Sequence, residues 1–153
     1  AEALFKAGAD VLVPCDPTAS PDMISPLDFK DLVKPSLMEL MKSAKGYYVL
    51  HICGKTKSIV RDMAETGTHG LSIEDKVDIK YAKETAGNKA RIIGNVSTSK
   101  TIFMGTPEEV KEEAKRVLDA GVDLLAPACG LPSVSPLENI KAIVSAVREY
   151  YKL

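Results

Sequence analysis

The sequence predicts an α/β fold in which parallel strands alternate with helices, as in a (β/α) barrel of the TIM type. Two observations predict this class. Five short apolar runs have the length and composition of buried strands, at residues 9–13, 47–52, 70–73, 90–96 and 122–126. Amphipathic helical stretches separate these runs, and such alternation is typical of βαβ units in a parallel sheet.

Capping signals mark where the predicted helices begin and end. Thr106, Pro107 and Glu109 form a capping box with proline at the first helical position, and Gly121 ends that helix. The same start pattern recurs at Ser135 and predicts a last helix. Its buried stripe should consist of Ile140, Ile143, Val144 and Val147.

The number of strands is too small for a closed barrel. A full (β/α)₈ barrel has eight strands and typically about 250 residues, whereas this chain has 153 residues. Its first seven residues have the pattern of the last turns of a helix that ends at Gly8. We therefore expect residues 1–153 to be a partial barrel of about five βα units, the carboxyl-terminal portion of a (β/α)₈ domain. Its two open sheet edges favour self-association into a homo-oligomer.

Composition and charge exclude several classes of function. Apolar residues make up 45% and charged residues 27%, which is ordinary for a soluble globular protein. A net charge of −1 argues against a nucleic-acid partner, and no apolar run is long enough to span a membrane. The chain opens without the pattern of a signal peptide, so we expect a cytoplasmic location. Three cysteines in a reducing compartment are typical of buried, metal-bound or catalytic thiols.

Four residues with metal-binding side chains follow predicted strands. His51 and Cys53 are two positions apart at one strand end, Glu74 ends the next strand, and Cys129 follows the last strand. Alternation along a strand points His51 and Cys53 to the same face. Parallel barrels place their active sites at the carboxyl ends of strands. An imidazole, two thiolates and a carboxylate form a four-coordinate set that favours Zn²⁺ over magnesium or calcium.

A simpler interpretation is that these residues are small core side chains, since a single free cysteine is usually buried. The placement of all four at strand ends favours a site. Structural zinc sites usually contain local Cys-x₂-Cys pairs, and the chain has none. Thiolate ligands make zinc a poor Lewis acid for hydrolysis but keep a bound thiolate electron-rich. We therefore expect alkylation of a substrate thiol, with Glu74 as the catalytic, exchangeable ligand.

Three further residues have possible roles near these strand ends. Asp16 ends the first strand and could orient substrate or cap the following loop. Asn95 lies at a strand end and could bind a polar substrate group or simply form a turn. Cys15 is expected in the core, because the four ligands already complete a metal shell.

Several sequence motifs carry a family resemblance. DPTASPDMISP, VLHICGKT, LSIED, IIGNVS and LLAPACGLP resemble the methylcobamide:coenzyme M methyltransferases, within the uroporphyrinogen decarboxylase-like superfamily. The resemblance covers essentially the whole chain and the carboxyl-terminal half of the family's (β/α)₈-barrel methyltransferase domain. It implies that His51, Cys53, Cys129 and Glu74 hold zinc. It also implies methyl transfer from a methylated corrinoid on a partner protein to the thiol of coenzyme M.

Other functions remain open at the level of sequence. A zinc-dependent methyltransferase with homocysteine as its acceptor resembles the same ligand pattern, although HICGKT and PACGLP favour the coenzyme M branch. A uroporphyrinogen decarboxylase needs no metal and has no use for two thiols at strand ends. The short length also leaves room for a non-catalytic fragment that binds zinc or docks a corrinoid protein.

Overall fold

The computed structural model describes residues 1–153 and contains one five-stranded sheet. Its strands are β1 (Val11–Leu12), β2 (Tyr47–His51), β3 (Gly70–Ser72), β4 (Arg91–Val96) and β5 (Leu124–Pro127). All neighbouring strands are parallel and pair in chain order, β1-β2-β3-β4-β5. The sheet curls into a half-barrel covered by helices, which confirms the predicted partial TIM-type fold.

Helices connect the strands, as the alternating pattern predicted. The α-helices are α1 (Glu2–Lys6), α2 (Pro26–Asp28), α3 (Lys34–Lys42), α4 (Val60–Ala64), α5 (Ile79–Ala86), α6 (Pro107–Asp119) and α7 (Leu137–Tyr151). Wider π-helical turns occupy Phe29–Val33 and Thr98–Phe103, and 3₁₀ turns occupy Pro17–Ala19 and Thr56–Ile59. None of these helices has both the length and the apolar character needed to cross a membrane.

The capping box of α6 forms as predicted. The Thr106 hydroxyl accepts a hydrogen bond from the backbone N–H of Glu109, and the Glu109 carboxylate accepts one from the N–H of Thr106. Gly121 follows the helix with a φ of +86°, a conformation that favours glycine. The buried face of α6 consists of Val110, Ala114, Val117 and Leu118. This reciprocal cap fixes the first turn of the helix that covers β4 and β5.

The buried face of α7 differs from the prediction. Val144 was assigned to the stripe but is 53% exposed, and Ser135 makes no capping bond to the helix. The buried residues are Asn139, Ala142, Ile143 and Ala146, and the predicted Ile140 packs against the core while partly buried. Asn139 sets this rotation, because its side-chain amide donates to the backbone carbonyls of Ile102 and Gly105. Small residues then let α7 lie close to α6, and Val144 is turned towards solvent.

The two faces of the sheet are covered unequally. One face packs against the helices and contributes fully buried side chains such as Tyr48, Leu50, Leu71 and Ile92 to a core cluster of 29 buried residues. The other face leaves large apolar side chains exposed, namely Val11, Val13, Tyr47 and Leu124. Exposed apolar surface beside the open edges of β1 and β5 favours association. Self-association of this chain is thus still a prediction, which the exposed apolar face supports.

Candidate metal centre

The carboxyl ends of the strands bring the predicted ligands to one edge of the sheet. His51 is the last residue of β2, and Cys53 lies two positions beyond it. Glu74 lies two positions beyond the end of β3, and Cys129 two positions beyond the end of β5. Because the strands are parallel and adjacent, these four positions lie at the same end of the half-barrel, where barrel active sites form.

Three of these residues come together as a triad. The ligand atoms of His51, Cys53 and Cys129 all lie within 4.8 Å of one another. The Cys53 Sγ is 3.3 Å from the His51 Nε2 and 3.5 Å from the Cys129 Sγ. Standard zinc bond lengths place neighbouring ligand atoms of a tetrahedral site roughly 3.5 Å apart. The donor set and its spacing therefore fit zinc.

His51 is oriented for this role by its neighbours. Its Nδ1 lies 3.1 Å from the backbone carbonyl oxygen and 3.0 Å from the Oγ of Ser72. A carbonyl oxygen can only accept, so Nδ1 carries the proton and the lone pair of Nε2 faces the thiols. Backbone bonds with Pro14 and Asp16 also hold His51 against the chain that follows β1. A fixed tautomer of this kind prepares an imidazole to bind a metal.

The thiol of Cys53 is held in its neutral form. Burial raises the pKa of Cys53 from 9.0 to about 11, helped by the hydrogen bond with Cys129 and the negative charge of Glu74. A neutral thiol must lose its proton before it can coordinate a cation. Any metal bound here therefore displaces protons, and its affinity should increase with pH.

The loop that carries Cys53 is braced by the loop that follows β1. Gly54 has a φ of +86°, and a Cβ at this position would clash with the Asp22 carboxylate and lie 2.6 Å from the Ser20 Oγ. The Asp22 Oδ2 also accepts a hydrogen bond from the backbone N–H of Lys55 at 3.2 Å. Only glycine fits this position without a rearrangement, so the site depends on close contact between the two loops.

Glu74 lies beside the triad but is not one of its three members. Its Oε2 pairs with the Nζ of Lys76 at 3.2 Å, and the side chains of Glu74 and Lys76 are 15% and 50% exposed. The Glu74 carboxylate raises the pKa of Lys76, and its charge also acts on Cys53. The structure thus brings together three of the four predicted ligands. The assignment of Glu74 as the fourth stays a prediction.

Asn95 supports the turn that carries Glu74. This buried side chain donates from Nδ2 to the backbone carbonyl of Glu74 at 3.0 Å and to that of Val77 at 2.8 Å. Both amide hydrogens of Asn95 are therefore engaged with the backbone. This geometry matches the turn-forming alternative for Asn95 and leaves its Oδ1 as the group that could contact a substrate.

The two candidates after β1 occupy more exposed positions. The Oδ1 of Asp16, which is half-buried, accepts a hydrogen bond from the Thr18 hydroxyl at 2.6 Å, as expected of a loop cap. Cys15 is exposed, so its predicted place in the core is wrong. The reason lies in β1, which has a neighbouring strand on one side only. Cys15 pairs with His51 through the backbone alone and lacks cover on its other side.

Two residues of the site were missed from the sequence. Ser72 holds His51, and Lys76 holds Glu74. The sequence alone does not indicate the role of Ser72. That role follows from the register of β2 and β3, which pairs Ser72 directly with His51. Lys76 follows Glu74 in an EDK run, which resembles any solvated turn.

Fold and site together define the chain as part of a (β/α)-barrel protein with a thiol-rich candidate metal centre. A family model described as uroporphyrinogen decarboxylase (URO-D) matches residues 1–150. The chain therefore belongs to the uroporphyrinogen decarboxylase family.

Individual relatives confirm the resemblance that the motifs indicated. The methylcobamide:CoM methyltransferase MtaA of Methanosarcina barkeri is 45% identical over 152 residues, which is 99% of this chain and 45% of that protein. The methylcobamide:CoM methyltransferase MtbA of Methanosarcina acetivorans is 39% identical over 98% of this chain and 45% of its own length.

A solved structure shows the same similarity in three dimensions. The methyltransferase from Methanosarcina mazei superimposes with a TM-score of 0.96 at 45% sequence identity. The match covers 98% of this chain and 45% of that protein. The chain thus spans a little under half the length of the relatives that it matches.

Proposed function

We propose that this chain is the carboxyl-terminal portion of a zinc-dependent methyltransferase. The complete protein would move a methyl group from a methylated corrinoid protein to the thiol of coenzyme M. The observation that carries the proposal is the cluster of one imidazole and two thiols at the carboxyl edge of the half-barrel. Similarity to relatives named methylcobamide:CoM methyltransferases supports this donor and this acceptor.

The residues that would hold zinc are His51, Cys53 and Cys129, with Glu74 as the fourth ligand. Two sulfur ligands favour zinc over hard cations such as magnesium, and the spacing of the donor atoms fits a single ion. The chemistry that zinc supplies in such a set is activation of a substrate thiol, which loses its proton and stays nucleophilic.

The residues of this chain prepare the site in separate ways. Ser72 fixes the tautomer of His51, so the free lone pair faces the thiols. Asn95 fixes the backbone of Glu74, so the carboxylate can move only through its side-chain torsions. A hard carboxylate is the ligand that a substrate thiolate displaces most easily, which assigns the catalytic exchange to Glu74. Asp16, at the same edge, is a candidate contact for the substrate.

The rim around this edge suits a macromolecular donor. The segments that follow β1, β4 and β5 expose large apolar side chains, which are Met23, Leu27, Phe103, Met104, Leu131 and Val134. Apolar surface that surrounds a polar site is typical of an interaction surface. We assign this rim to the corrinoid protein, whose methyl group must approach the thiol at the open end of the barrel.

The first test is the zinc content of the chain after incubation with zinc. We expect about one zinc per chain and strong loss in Cys53→Ala and Cys129→Ala, because each variant removes a thiolate ligand. Cys15→Ala is the matched control, since this third cysteine is exposed. Zinc X-ray absorption should gain a sulfur neighbour when coenzyme M is added. A wild-type chain that holds no zinc would contradict the proposal.

The acceptor is tested by methyl transfer from free methylcobalamin, followed by the change in corrinoid absorbance. Transfer to coenzyme M but not to homocysteine would support the proposed branch, and the reverse preference would support a homocysteine methyltransferase. Zinc binding without transfer to either thiol would favour a non-catalytic zinc-binding or docking module. Decarboxylation of uroporphyrinogen by the zinc-free chain would favour the decarboxylase alternative.

A further inference from the structure

The Glu74 carboxylate has one ion-pair partner, Lys76, and is a candidate ligand of the neighbouring thiol cluster. It is 15% exposed and pairs with the half-exposed Lys76 at 3.2 Å, while its charge also acts on the thiol of Cys53. The carbonyl of Glu74 accepts from both Asn95 and the N–H of Val77, which closes the turn and restrains the backbone. Rotation of the side chain is therefore the simplest motion that would carry the carboxylate between Lys76 and a metal held by the cluster.

We propose that Lys76 is a positioning residue that receives the Glu74 carboxylate when a substrate thiol takes its place in the metal shell. This inference rests on the proposed function, which makes Glu74 the exchangeable ligand. In the exchange one carboxylate–metal bond would break and one sulfur–metal bond would form, with the thiol proton released to solvent. The displaced carboxylate would then pair with the Lys76 ammonium, as it does in the structure at 3.2 Å.

The physical reason is the cost of releasing a largely buried carboxylate without a partner. A charge removed from water is expensive unless it is paired. Lys76 lies two positions from Glu74 in the same turn, so it offers the displaced carboxylate a partner without movement of the backbone. Because Lys76 is itself half exposed, the pair is partly screened, and we expect an effect of about two- to fivefold on thiol affinity.

The alternative role for Lys76 is direct contact with the anionic end of the substrate. The two roles make opposite predictions about Glu74. A partner of the carboxylate matters only when Glu74 is present, whereas a sulfonate contact acts regardless of residue 74. They also differ in the thiol, because carboxylate exchange does not depend on a sulfonate. An uncharged thiol such as 2-mercaptoethanol therefore separates them.

The test measures thiol dissociation constants by calorimetry on the zinc-loaded 153-residue chain. Lys76→Met should raise the dissociation constants of coenzyme M and of 2-mercaptoethanol by about two- to fivefold, and Lys76→Arg should restore them. In a Glu74→Ala background, Lys76→Met should have no effect. X-ray absorption of the zinc should show more oxygen retained in Lys76→Met at subsaturating thiol. Lys80→Met, an exposed lysine on α5 without an ion pair, is the control.

Two outcomes would overturn the inference while the proposed function stands. In the first outcome, the wild-type zinc site gains a sulfur neighbour, and Lys76→Met binds each thiol as tightly as the wild type does. The other is an effect that persists in the Glu74→Ala background or is confined to coenzyme M, which makes Lys76 an anion contact. A wild-type zinc site that gains no sulfur from either thiol would instead overturn the proposed function, and this inference with it.

Discussion

The Sγ atoms of Cys53 and Cys129 lie 3.5 Å apart, although 76 positions separate the two residues in the sequence. This proximity follows from the parallel topology, which places the ends of β2 and β5 at the same edge of the curled sheet. Two free thiols at this distance can share one metal ion. They can also react with each other when an oxidant is present.

The pair should form a disulfide when the metal-free chain is treated with hydrogen peroxide. The two thiols lose two hydrogen atoms and the peroxide becomes two water molecules. Intact mass and thiol labelling should show one disulfide in the wild type and in Cys15→Ala, and none in Cys53→Ser. Zinc bound beforehand should slow the reaction, because both sulfur atoms are then ligands. Equal rates with and without zinc would contradict the shared site.

Substitution of Gly54 should weaken metal binding although Gly54 is not itself a ligand. In Gly54→Ala, the added Cβ meets the Asp22 carboxylate in a backbone conformation that L-residues rarely adopt. Such strain costs about 1–3 kcal/mol, and we expect about a tenfold loss of zinc affinity, which is 1.4 kcal/mol. Competition with a chromogenic chelator measures the affinity. Gly130→Ala is the control, because it follows Cys129 and a Cβ there meets nothing within 4 Å.

Removal of the Asn95 side chain distinguishes its two possible roles. Asn95→Ala removes the side-chain donor of the Val77 carbonyl and one of the two donors of the Glu74 carbonyl, and an unsatisfied buried group costs about 1–3 kcal/mol. We therefore expect a lower urea midpoint without a loss of coenzyme M affinity, because a misplaced Glu74 competes less well with the thiol for the metal. An unchanged midpoint with weaker coenzyme M binding would instead assign Asn95 to the substrate.

The sequence predicted the order of elements and the meeting of His51, Cys53 and Cys129, because these depend on local patterns. All five strands lie within two residues of the apolar runs that predicted them, and the α6 capping box needs only three nearby residues. The triad could also be predicted, because residues at strand ends meet in any parallel barrel.

The errors and omissions concern contacts that depend on tertiary neighbours. Cys15 is exposed because β1 has one neighbouring strand, and Val144 is exposed because Asn139 anchors α7 to the Ile102 and Gly105 carbonyls. Local sequence contains neither the strand order nor the helix rotation. For the same reason the role of Ser72 became visible only when the register placed it opposite His51.

An ion network away from the site makes a prediction about pH. The Glu65 carboxylate binds Lys34 at 2.7 Å and Lys89 at 2.6 Å, and these cations lower the pKa of Glu65 from 4.5 to about 2. Its contribution to the free energy of unfolding is therefore complete above the unfolded pKa of 4.5 and is lost as pH falls towards 2.

Urea midpoints should be lower in Glu65→Gln than in the wild type at about pH 6, with a smaller difference near pH 2.5. Glu84→Gln, which changes an exposed carboxylate, should show no such pH dependence. A Glu65→Gln difference that is constant with pH would show that the two lysines do not stabilise the charged form.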